Sequence, residues 1–136
     1  MDMTEYEQVG KLIFGVQRLD GALQGLDRQF SGEGMALDGM TEEPAVKLAR
    51  RMAVSEAYFL KHNTPGGTVD EFNRTAALVC ELEMRSNAVS GGRTEGLDDL
   101  LAIMRDAHFK IADVMDALEL KEYPTDTLRA RASAAS

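Results

Sequence analysis

Two histidines and one cysteine are the residues of this sequence whose side chains suit nucleophilic, metal or proton chemistry at neutral pH: His62, His108 and Cys80. None sits in a motif that completes a reaction. A metal-binding histidine on a helix wants a second His or a carboxylate three or four residues away. His108 has Met104, Arg105, Ile111 and Ala112 there. A di-metal carboxylate bundle needs Glu followed by His three residues on, and neither histidine has that partner. His62 precedes Asn63-Thr64-Pro65-Gly66, a helix-ending run, so it reads as a C-terminal helix residue interacting with the helix dipole. Cys80 lies on an apolar helical face and reads as a small buried hydrophobe. Catalytic, cofactor and metal residues are therefore all expected to be none.

Two partial resemblances bear on the histidines. Met104-Arg105-Asp106-Ala107-His108 resembles the proximal-histidine segment of truncated haemoglobins, and Tyr6-Glu7-Gln8-Val9-Gly10 resembles the start of that family. The resemblance implies a haem ligand at His108. It covers about ten residues, and the chain departs from the family by ending 28 residues after His108. An acidic helical bundle of this size also resembles histidine-phosphotransfer modules, which implies a phosphorelay at His62 or His108. Those modules carry Lys three residues after the histidine. Here Lys61 precedes His62, and Lys110 lies two residues after His108.

The elements that would position these residues are helices. Val9, Leu12, Val16, Leu19, Leu23, Leu26 and Phe30 recur at alternating steps of three and four, a heptad seam over a helix from about residues 3–5 to Phe30. Thr4 and Glu7 have capping-box spacing. Gly10, Gly15, Gly21 and Gly25 weaken this helix by roughly 1 kcal/mol each, and Asp20-Gly21 is a point where it could divide. A second helix follows Pro44. Its expected stripe is Ala45, Leu48, Ala49, Met52, Ala53, Phe59 and Leu60, with Lys47, Arg50 and Arg51 turned away. A third opens at a Thr68–Glu71 capping box and buries Val69, Phe72, Ala76, Val79 and Cys80. The fourth runs from about Gly96 to Glu122 on a second seam: Leu97, Leu101, Met104, His108, Ile111, Met115 and Leu118.

The fold class is thus all-α: a four-helix bundle, antiparallel up-down-up-down, with heptad seams in the first and fourth helices. The connection between the first two helices is the longest and permits a different arrangement. Residues 1–124 are expected to form one helical domain, and residues 125–136 a frayed tail. Seams this regular can also pair across a homodimer.

The 136 residues carry 23 acids and 15 bases, a net charge of −8. With 44% hydrophobic residues the chain is not a disordered acidic one. Its charge argues against nucleic acid or anionic membrane as partner. No run is apolar and long enough to span a bilayer. The first residues lack the basic start of a signal peptide, and a lone cysteine forms no internal disulfide; together they suggest the cytoplasm. Residues 94–122 hold eight acids and three bases, so most of the charge belongs to the fourth helix. Asp99, Asp106 and Asp113 are seven apart on the face opposite the seam. Phe109 lies off the seam, and Tyr58 is a candidate surface aromatic. These five residues make the candidate interaction surface. The expected function is a non-enzymatic protein–protein interaction module, an inhibitor, adaptor or chaperone-like protein. Its partner would be a protein with a basic surface or a second copy of the chain.

Overall fold

A computed structural model describes residues 3–31, 43–92 and 95–118. Four helices account for nearly all of them: α1 (Met3–Ser31), α2 (Pro44–Lys61), α3 (Gly66–Ser90) and α4 (Leu97–Ala117). No strand occurs among the described residues. The frayed tail expected at 125–136 lies outside them.

α1 is continuous through Asp20-Gly21. Its seam is buried within the single chain from Leu12 to Phe30, with Val9 half-buried. The seam of α4 is likewise turned inward, with Met104, His108, Ile111 and Met115 all buried. Both seams are thus buried within the core of one chain. Gly15 has a packing reason: a Cβ there would collide with the sulfur and methyl of Met104. Its missing side chain lets α4 lie close against α1, which offsets the poor helix propensity of glycine.

Start and stop signals differ in detail from expectation. Thr4 lies within α1, and Thr68 is the third residue of α3, so neither capping box forms. Pro65 occupies the N-cap of α3 instead, and its carbonyl accepts from Thr68 N–H at 3.0 Å and Val69 N–H at 3.1 Å. Pro44 takes the first turn of α2, as its missing N–H allows. α2 ends in a Schellman arrangement. Asn63 is left-handed at φ 52°, Thr64 N–H donates to Phe59 O at 3.1 Å, and Asn63 N–H reaches Leu60 O at 3.5 Å. Gly92 and Gly96 supply the positive φ values between α3 and α4.

The bundle is not up-down-up-down. Gln8 of α1 meets Asp98 of α4, and Gly15 meets Met104, so contacts advance together and these helices run parallel. Asp20 meets Lys47, Asp27 meets Arg51, and Phe30 meets Phe59, so α1 and α2 are parallel too. Phe59 and Lys47 of α2 meet Phe72 and Glu83 of α3, with the order reversed. α3 thus opposes the other three. The start of α2 lies beside Asp20, about 16 Å back along α1 from Ser31. A connection of roughly a dozen residues reaches up to about 40 Å, ample for that return. α1 and α3 touch all other helices, whereas α2 and α4 do not touch each other among the described residues.

α2 is also rotated from its expected setting. Ala45, Ala49, Ala53 and Leu60 are exposed. Arg51, Ser55 and Phe59 are buried and Lys47 is half-buried, an i, i+4 row facing α1 and α3. The reason is electrostatic. Those helices present carboxylates here, and burial of a cation is tolerated only beside such partners.

Candidate functional site

Five charged side chains meet where α1, α2 and α3 converge. Lys47 Nζ lies 2.7 Å from Glu83 Oε2 and 3.2 Å from Asp20 Oδ2. Arg51 Nε–H is shared between the two oxygens of Asp27, at 2.9 and 3.1 Å. Arg51 Nη2 reaches Asp20 Oδ1 at 3.5 Å, and Gln24 Nε2 donates to Asp20 Oδ2 at 2.8 Å. The side chains of Arg51 and Asp27 are only 4% and 5% exposed. Three carboxyl groups thus share two cations, with little water to help.

The proton distribution follows from that imbalance. Burial raises the affinity of Glu83 for a proton, and its hydrogen bond to Asp20 adds to this; Lys47 opposes it, and the net shift is upward. Burial acts on Asp20 in the same direction, but the bond from Glu83 and the nearby Lys47 and Arg51 outweigh it and hold Asp20 low. Asp27 is raised, since its burial exceeds the pull of Arg51. Lys47 is raised because its carboxylate partners outweigh its own desolvation. When Glu83 is protonated it donates toward Asp20, and two carboxylates remain for two cations. Between the unfolded Glu value near 4.5 and the raised Glu83 pKa the folded chain binds this proton more tightly than the unfolded chain, so stability falls as pH rises through that window. Glu83→Gln cannot titrate. Its stability relative to wild type should therefore improve as pH climbs from 4.5, in denaturant unfolding at a series of pH values. A flat difference would mean that Glu83 carries no extra proton.

A groove of about 510 Å³ opens above this network, between α1, α3 and the first turn of α2. Asp20, Lys47 and Glu83 line its floor, with Gln17, Gln24 and Asn87 around them. The charges on that floor are already paired with one another, so the network joins three helices more than it offers a free ligand group. Asp20 and Asp27 are seven apart on α1, and Lys47 and Arg51 four apart on α2. That double spacing is the sequence signal of the network, although on a single helix such charges belong to the solvated face.

Asp99, Asp106, Phe109 and Asp113 do share the outward face of α4, all exposed. Lys110 pairs with Asp106 at 3.3 Å on the same surface. Tyr58 is not part of it. It is half-buried on α2, its ring 4.6 Å from that of Phe30 and 4.2 Å from that of His62. His62 is exposed at the end of α2. His108 is 2% exposed, with Nδ1 3.0 Å from Met104 O; that burial leaves an incoming phosphoryl group no approach. Cys80 is buried, and burial, aided by Glu83, pushes its thiol pKa up, the opposite of a reactive thiolate. Among the described residues no group of three or more His, Cys, Asp or Glu is placed to hold a metal, and no helix is long and apolar enough to cross a membrane. The chain matches no known family, no curated protein and no solved structure.

Proposed function

We propose that this chain is a non-enzymatic binding protein whose α4 outer face takes a partner protein with a basic, partly apolar surface. The observation that supports it is the composition of that face. Asp99, Asp106 and Asp113 stand exposed along it, and Phe109 projects between the last two with 37% of its surface in water. An aromatic flanked by Asp106 and Asp113 suits recognition: the ring supplies apolar contact, and the carboxylates speed encounter and reject acidic competitors. A reducing compartment such as the cytoplasm suits the buried, unbonded Cys80.

The test is an NMR titration of the labelled chain with an amphipathic Lys/Leu helical peptide. Shifts should map to the outer face of α4. The Asp99→Asn/Asp106→Asn/Asp113→Asn protein should bind at least tenfold more weakly at low salt, with the difference shrinking in high salt. Phe109→Ala should weaken binding while leaving the circular dichroism unchanged. Shifts on another face, or a triple variant that binds as well as wild type, would sink the reading.

A further inference from the structure

A second surface, away from α4, carries an independent proposal. Met3, Glu7, Gly10, Phe14, Gly21 and Arg28 recur along α1 at steps of four, three, four, seven and seven, so they share one helix face. All six are exposed, opposite the buried seam. The face is apolar where it matters: Met3 is 76% exposed and Phe14 54%, with Tyr6 at 62% beside them. The guanidinium of Arg18 lies 4.1 Å from the Phe14 ring centroid and steadies the ring there. A Cβ at Gly10 or Gly21 would meet nothing within 4 Å, so each glycine leaves an open notch in the surface.

We infer that this face pairs with the same face of a second copy, antiparallel, about a two-fold axis between residues 17 and 18. The occupant is set by charge and shape together. The register that seats Phe14 over the notch at the other copy's Gly21 also brings Glu7 beside the other copy's Arg28, because both pairs are centred on the same point. Two-fold symmetry makes each contact occur twice, so one face yields two ring-in-notch contacts and two ion pairs, against one like-charge contact where exposed Arg18 meets its own copy beside the axis. A parallel pairing sets Glu7 on Glu7 and Arg28 on Arg28 and loses both pairs. Isologous pairing closes on itself as a dimer, with no exposed copy of the face left over.

Sedimentation equilibrium of the full chain tests this. Wild type should be a dimer. Phe14→Glu should raise the dimer dissociation constant at least tenfold with unchanged helicity, since the ring is outside the core. Gly21→Leu is the sharper variant. It fills the notch and should abolish the dimer, while at concentrations low enough for both proteins to be monomeric its melting point stays level or rises, because leucine favours helix over glycine and its Cβ meets no neighbour. Glu7→Arg and Arg28→Glu should each weaken the dimer roughly fivefold, and the two together should restore it. A wild-type chain that stays monomeric up to millimolar concentration overturns the proposal. So does a Gly21→Leu protein that remains dimeric, or a double reversal that fails to rescue.

Discussion

An Arg51→Met protein is expected to unfold about 3–5 kcal/mol more easily than wild type, the usual consequence of removing one partner from a buried ion pair. The side chain being replaced is almost wholly inside, and its Nε–H is the hydrogen bond held by both oxygens of Asp27. Methionine fills the space and leaves the carboxylate. Asp20 keeps Lys47 and Gln24, so Asp27 bears most of the loss. A domain of this size has only about 5–15 kcal/mol of stability, so the variant should sit near the edge of folding. Two further measurements separate this cause from a packing defect. Asp27 already binds its proton more tightly than usual, and without Arg51 it should do so more strongly. A raised carboxyl pKa contributes stability that is present at low pH and lost as pH rises through it. The deficit of Arg51→Met should therefore be smallest near pH 4 and grow toward pH 7. Pairing it with Asp27→Leu removes the stranded charge and should recover most of the stability. A deficit independent of pH and not relieved by Asp27→Leu would show that Arg51 matters for its shape alone.

Phe72→Ala should be comparably severe, at about 3–5 kcal/mol, for a different reason. Phe72 is fully buried on α3. Its ring lies 5.5 Å from that of Phe30 on α1 and 5.4 Å from that of Phe59 on α2, each edge to face. The alanine leaves a cavity at the junction of three helices, none of which can close it alone. Phe72→Leu refills much of that volume and should restore about half of the loss in chemical denaturation. If alanine and leucine behave alike, the ring geometry rather than the filled volume holds the cluster.

These two residues mark the boundary of what the chain alone reveals. Phe72 was legible as core, because an apolar residue in step with Val69, Ala76 and Val79 has one reasonable place to go. The four helices and both heptad seams were legible for the same reason: hydrophobic periodicity is a property of a single helix and needs no knowledge of its neighbours. The exposed acids of α4 followed from the seam opposite them. Arg51 was not legible. Its local pattern places it beside Arg50 on a polar face, and only carboxylates more than twenty residues away, on α1, make its burial tolerable. With Arg51 and Lys47 turned inward, the apolar residues Ala53 and Leu60 turn out, so electrostatic contacts between helices set the rotation of the whole of α2.

Helix direction escaped the sequence for a related reason. A heptad seam packs equally well against parallel and antiparallel neighbours, so α1 and α2 could have run either way. The charges at positions 20, 27, 47 and 51 and the aromatic rings at 30 and 59 match only when α1 and α2 run together. Periodicity alone determined which residues are helical and which stripes of α1, α3 and α4 are buried. Pairing across helices decided the direction of α2, its rotation, and the enclosure of five charges in a bundle whose sequence assigns every charge to water.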